Sequence, residues 1–317
     1  MANDTTRATA LPTPPASSPA PRLRYNWLPD AALARSLRRG DALGIGARLL
    51  TYVVMCVIAF TYLIPIFWML STSFQTDSQQ FSFPVQWIPK VIDWRNYVLG
   101  WQTVPFGHFF LVSFLYSTST MLGVLFSCSL AAYALARLQF RFRNAILYLV
   151  IGTLMLPAQV TLIPIYLMFH ALDWINTLWP LIVPQWFGVN AFSIFLLRQF
   201  FMTLPRDLDD AARIDGCSEF GIWWRVVLPL SRPALGVVAL FQGVAAWNDF
   251  FGPLIYEISP RNFTVALGLQ LFQSQFGAMH INQEMAMTVA SVVPVFIVFF
   301  LLQKYFIRGI VLSGVNR

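Results

Sequence analysis

Residues 109–135 read FFLVSFLYSTSTMLGVLFSCSLAAYAL, a run without a single Asp, Glu, Lys, Arg or His. A helix that crosses a bilayer needs about 20 largely apolar residues, roughly 30 Å at about 1.5 Å per residue. This run is long enough to cross and too long for a strand, so its reading decides the fold. Working outward, the same test applied between neighbouring charges finds five more runs. They are Leu49–Leu70, Ala145–Met168, Ile175–Leu197, Ala234–Ile255 (interrupted by Asp249) and Met285–Gln303, closed by Lys304. The expected fold is therefore all-α, a polytopic membrane protein of six transmembrane helices.

Composition agrees. Of 317 residues 57% are apolar and only 11% charged, against about 25% charged in soluble domains. Disordered, collagen-like and ordinary water-soluble classes are excluded. Cys56, Cys128 and Cys217 are odd in number and scattered, which implies no disulfide or metal framework. The net charge of +7 is topological rather than a nucleic-acid footprint. With six spans, both termini and the even-numbered loops share one side. That side carries 18 of the 21 Lys and Arg residues, while Lys90, Arg95 and Arg261 lie opposite. Short loops rich in Lys and Arg stay in the cytoplasm, so both ends are expected there.

Three regions follow: a cytoplasmic tail at 1–48, a membrane domain at 49–308, and a short tail at 309–317. The first tail starts rich in Ala, Thr, Ser and Pro and turns basic between Arg22 and Arg39. Its first half reads as disordered, and without an apolar core it is not a cleaved leader. Residues 71–108 contain Trp87, Trp94 and Trp101, which suit an interfacial layer.

Enzyme chemistry is hard to find. The two lysines, Lys90 and Lys304, follow Pro89 and Gln303, whereas a phosphate-cradling loop needs Gly-Lys-Ser/Thr. His108, His170 and His280 have no i,i+4 pairing and read as wet interfacial side chains. No Gly-x-Ser-x-Gly elbow is present.

The information sits in the loop at 200–233. It reads Leu204-Pro205-Arg206-Asp207-Leu208-Asp209-Asp210-Ala211-Ala212-Arg213-Ile214-Asp215-Gly216 and continues to Leu228-Pro229. Pro205 suits a helix start, and Asp207, Asp209 and Asp210 suit its positive end. Gly216 suits a left-handed stop. A second short helix is expected over about 218–227, ending near Pro229.

This stretch resembles the EAA loop of ABC importer permeases: Glu-Ala-Ala, three residues, Gly, nine residues, Ile-x-Leu-Pro. Asp210-Ala211-Ala212, Gly216, Val226 and Leu228-Pro229 fall on that spacing without a gap, and both departures keep the chemical type. Ala132-Tyr133-Ala134-Leu135-Ala136-Arg137, Leu156-Pro157 with Ile163-Pro164, and Trp247-Asn248-Asp249 extend the likeness along nearly all of the chain after residue 49. It is similar to carbohydrate importer permeases of the maltose-permease type, the second of two permease subunits.

The resemblance implies a multi-pass protein of a bacterial or archaeal cytoplasmic (inner) membrane, transporting a sugar or oligosaccharide. Its implied partners are a second permease subunit, two ATP-binding subunits, an extracytoplasmic solute-binding protein and membrane lipid. ATP would bind to a partner subunit, and this chain would hold no cofactor. Asp210, Ala211, Ala212 and Gly216 would form the ATPase-coupling centre, with Arg213 and Asp215 as polar contacts and Leu228-Pro229 closing the motif.

Within the membrane, Asp249 is an acid in an apolar span, where ionisation costs at least about 2.5–3.5 kcal/mol. Trp247, Asn248 and Asp249 could flank a sugar path or form a hydrogen-bonded helix contact. Pro157 and Pro164 interrupt one span's ladder and are expected to bend it around the path. Two rivals remain open: a permease for glycerol phosphate or another solute, and a secondary transporter working alone.

Overall fold

A computed structural model describes residues 31–80, 82–276 and 279–314, with side chains described for 46–80, 82–276 and 279–303. The tail expectations for 1–30 and 315–317 lie outside the described residues. The chain forms two compact units, 1–63 and 64–317, the first ending inside helix α1 (Ala31–Ser73).

The regular elements among the second unit's described residues are all helical, the main ones being α2 (Arg95–Thr103), α3 (Phe106–Arg137), α4 (Arg143–Thr153), α5 (Ala158–Ala171), α6 (Ala191–Thr203), α7 (Asp207–Ile214), α8 (Glu219–Leu230), α9 (Arg232–Trp247), α10 (Phe251–Tyr256), α11 (Val265–Phe276) and α12 (Ile281–Gly314). Among the described residues four helical stretches have the length and apolarity to cross a membrane: Gly46–Ser73, Phe106–Arg137, Trp179–Thr203 and Ile281–Gln303. Two bent pairs, α4 with α5 and α8 with α9, raise that to as many as six if each is one span.

Three expected runs are less regular than their hydropathy suggests. The Ala145–Met168 run is two helices meeting at 98°. Pro157, with ψ of 131°, caps the second of them, because proline cannot donate to the ladder and crowds the residue before it. Pro164 lies inside α5. The Ile175–Leu197 run starts its helix only at Trp179, passes through a 3₁₀ turn at Val183–Phe187, and turns at Gly188 with φ of +70°. Asn190 then caps α6, its Oδ1 accepting from the Ser193 N–H at 3.0 Å. The fifth run breaks after Trp247 and resumes as α10.

α3 is the centre of the second unit. No proline interrupts it between Phe106 and Arg137, so nothing obvious kinks it. Its C-terminal half shares a core with α6, α7, α8 and α9 around Val124, Cys128, Leu197, Phe201, Trp223 and Val238. Its N-terminal end packs through Phe106 and Phe109 on Val265, Phe272 and Met287. At Gly123 a Cβ would lie 2.7 Å from Trp186 Cδ1, so only glycine lets that indole approach. Beyond this core, Asn282 Nδ2 donates to Asp77 Oδ1 (2.8 Å) and Asn96 Oδ1 (3.1 Å), a buried amide cluster joining α12 to the segment after α1.

Candidate functional site

The 200–233 loop folds as two helices. Three acids occupy the first turn of α7, at the positive end of its dipole. The helix stops at Gly216, whose φ is +80°. The Cys217 N–H donates to the Ala212 carbonyl (2.9 Å) and the Gly216 N–H to the Arg213 carbonyl (3.0 Å). That pair of bonds is the Schellman arrangement, which satisfies the last carbonyls and favours glycine at the left-handed position. Ser218 caps α8, its Oγ accepting from the Gly221 N–H at 3.2 Å. Inside α8 the ladder widens to a π turn over Trp223–Val227, the Leu228 N–H reaching back five residues to Trp223. Extra residues of this kind re-aim side chains, and Trp223 is fully buried. The expected second helix is thus present but runs on through Pro229 to Leu230, then turns by 83° into α9.

The alanine pair divides the helix. Ala212 (8% exposed) and Asp209 face the chain's own core, whereas Asp210, Ala211, Asp215 and Gly216 face out. Ile214, at 87% exposure, stands clear of the rest of the chain. A bulky residue at Ala212 would therefore press on this chain's own interior, while one at Ala211 would change only the outer surface.

Polar contacts fasten this helix pair to the end of α3. Arg137 Nη1 lies 3.3 Å from Asp209 Oδ2, with side-chain exposures of 2% and 5%, and Arg137 Nη2 donates to the Leu204 carbonyl at 2.9 Å. Tyr133 Oη donates to Glu219 Oε2 at 2.6 Å. Arg213 bridges Asp210 (2.8 Å) and Glu219 (2.9 Å), so it is committed within the chain. Asp215, by contrast, has no ion pair among the described residues. Burial pushes the Asp209 carboxyl up, with Arg137 and Arg213 opposing. Arg213, then Tyr133, holds Glu219 below the usual carboxylate range.

In the membrane region Asp249 sits at the helix break. Its Oδ1 accepts from the Gly252 N–H (3.0 Å) and its Oδ2 from Tyr116 Oη (2.8 Å). Trp247 is buried, its Nε1 donating to the Ser291 carbonyl at 3.0 Å, and it lines an apolar cavity of about 340 Å³ with Phe114, Met121 and Pro294. Asn248 is exposed. Pro157 and Pro164, also exposed, lie on the bent pair apart from this break. Tyr116 packs in one cluster with Phe169 of α5, Leu181, Ala246 and Tyr256.

Sequence reasoning passed over Tyr133, Arg137, Glu219 and Trp223 as parts of a site. The available signal was the four-residue spacing of Tyr133 and Arg137, which puts both on one face at a span's end. It also passed over Glu257, just beyond α10. That side chain is 4% exposed, and neither carboxylate oxygen has a hydrogen-bond partner among the described residues. Burial pushes its carboxyl up to about 7, against a smaller opposing pull from Asn262.

Between the ordinary carboxylate range and about pH 7, the folded chain holds a proton on Glu257 that the unfolded chain has released. Its contribution to stability is therefore largest in acid and is lost as pH rises through about 7. Glu257→Gln is expected to raise the apparent melting temperature in detergent by about 3 °C at pH 8 and to leave it unchanged near pH 4, below the ordinary carboxylate range. An equal shift at both values would contradict this.

The described residues thus form a helix bundle with four to six candidate spans and an exposed helix face at Asp210–Gly216. The family model described as "Binding-protein-dependent transport system inner membrane component" matches residues 123–312, and the chain belongs to that family. The arabinooligosaccharides transport system permease protein AraQ of Bacillus subtilis (strain 168) is 35% identical, over 82% of this chain and 92% of that protein. The sn-glycerol-3-phosphate transport system permease protein UgpE of Yersinia pestis bv. Antiqua (strain Antiqua) is 30% identical, over 84% and 96%. A bacterial ABC transporter involved in the import of the acidic polysaccharide alginate has a chain that aligns with a TM-score of 0.74, covering 85% of this chain and 98% of its own, at 24% identity. The chain is therefore an inner-membrane permease component of a binding-protein-dependent transport system.

Proposed function

We propose that this chain is one of two permease subunits that import a sugar or oligosaccharide, driven by two ATP-binding subunits and fed by an extracytoplasmic solute-binding protein. One observation carries the reading: the outer face of α7, with Asp210, Ala211, Ile214, Asp215 and Gly216, is exposed while its inner face is buttressed by buried contacts. A surface held this rigidly yet left uncovered fits a docking element for the ATPase. Ala212, Arg213, Leu228 and Pro229 shape and support it rather than touch the partner. ATP binds to the partner, since neither lysine here lies in a Gly-Lys-Ser/Thr loop.

The membrane domain is six spans, with α4–α5, the broken run Trp179–Thr203 and α9 with α10 each crossing once, α8 lying outside the spans and both termini in the cytoplasm. That topology keeps 18 of 21 basic residues on the inner side, as the charge rule for short loops requires. Asp249 caps the α10 break, Trp247 braces it, and exposed Asn248 beside it is the polar edge offered to the path. The bend at Pro157 lets α5 wrap that region, with Pro164 on its length. A sugar cargo is supported by the name of the arabinooligosaccharide permease and by the alginate importer. Glycerol phosphate is the second reading, favoured by the glycerol-3-phosphate permease at similar coverage.

The test is uptake by the complete transporter in proteoliposomes with its binding protein, offering radiolabelled arabinooligosaccharides or glycerol 3-phosphate in turn. Internal ATP is expected to drive oligosaccharide accumulation, and an ion gradient alone to drive none. Accumulation by this chain alone on an ion gradient would overturn the coupling reading. Accumulation of glycerol phosphate only would overturn the sugar.

A further inference from the structure

The helix pair at 207–230 is joined to the bundle covalently at both ends, through Leu204-Pro205-Arg206 and through the 83° bend at Ser231. Single-strand connections of that kind act as hinges and transmit movement poorly. The polar contacts run elsewhere. Tyr133 and Arg137 lie one turn apart at the cytoplasmic end of α3, on one face. Tyr133 holds Glu219 on α8 and Arg137 holds Asp209 on α7. Arg213 then ties α7 to α8, closing a braced triangle. Trp223 fills the space beneath it within the same core. Seventeen residues up the same uninterrupted helix, about 26 Å away, Tyr116 donates to Asp249 at the α9–α10 break.

We infer that α3 is the connecting rod of this permease. Tyr133 and Arg137 are positioning residues that join both coupling helices to its inner end, and Tyr116 joins its outer end to the helix break at Asn248–Phe250. The inference rests on the coupling reading and adds which span takes up the motor's stroke. A packed core with two discrete arrangements passes on such a displacement, whereas a hinge absorbs it. The ion pair is buried and cannot be cut without risk to folding. Tyr133→Phe removes one hydroxyl and keeps the ring, so the triangle opens with the core intact.

The experiment uses the complete transporter with Cys56 and Cys217 replaced by serine and Asn248→Cys as reporter. A membrane-impermeant maleimide is applied with and without ATP plus vanadate. In this parent, trapping the nucleotide state is expected to change labelling of the reporter thiol several-fold. With Tyr133→Phe or Tyr116→Phe added, ATP hydrolysis is expected to continue while the labelling change is lost. Conservation of that change in both variants would overturn the inference, as would a fall in hydrolysis and labelling in equal proportion, which marks a purely structural role. Ala211→Trp separates the two claims. If it abolishes the response while Tyr133→Phe and Tyr116→Phe do not, coupling stands and the rod falls. If the parent itself does not respond to nucleotide, the coupling reading falls too.

Discussion

Arg137→Met is expected to leave little intact permease. The substitution keeps most of the side chain's volume but strips Asp209 of its partner, and Asp209 sits with only 5% of its side chain exposed. Breaking one half of a buried ion pair costs about 3–5 kcal/mol, and the Leu204 carbonyl also loses its donor, worth about 1 kcal/mol more. Folded domains are stable by only about 5–15 kcal/mol, so a loss of this size is felt at once. Size-exclusion chromatography in mild detergent should show most of the variant in the aggregate fraction. Removing both charges, as Arg137→Met with Asp209→Leu, should return the monodisperse peak, because two apolar partners leave no stranded carboxylate. A single variant as stable as the parent would contradict the burial argument.

The second large effect is at Ala211. Its neighbour Ala212 is inside and Ala211 is outside, so Ala211→Trp should fold, insert and purify as the parent does. An indole on the docking face would hold the motor subunit off, and a loss of about 2.7 kcal/mol or more lowers its affinity by about a hundredfold. ATP-driven uptake should fall accordingly, and the motor should no longer co-purify. Ala212→Trp makes the contrast, since it should lose expression and transport together. Normal uptake by Ala211→Trp would remove this face from the coupling surface.

Much of the fold could be read in the chain because lipid imposes so simple a rule. Any run of about 20 apolar residues must satisfy its backbone internally, so Phe109–Leu135 and Met285–Gln303 announce themselves as helices. Hydropathy is blind to where a span breaks. Pro157 marks its break, and Asp249 hints at one, but the 3₁₀ turn at Val183–Phe187 and the π turn at Trp223–Val227 come from packing that no local pattern encodes. The helix pair was legible through Pro205, the acid-rich first turn and Gly216. Which alanine faces out was not, since Ala211 and Ala212 are equal in polarity and only the core at Trp223 decides between them. Tyr133 and Arg137 were visible as residues but not as tethers, because their partners Glu219 and Asp209 lie 86 and 72 positions away in the sequence. Glu257 reads as one more loop acid until its burial is seen.

Photo-crosslinking from Ala211 tests the central claim most directly. Ala211→Cys, in a chain with Cys56 and Cys217 replaced by serine, carries a small alkyl-diazirine probe, slimmer than an indole, in the assembled transporter. Illumination is predicted to give one dominant adduct, with the ATP-binding subunit. Adducts with the solute-binding protein, or none with the ATP-binding subunit while it remains in the complex, would contradict the account.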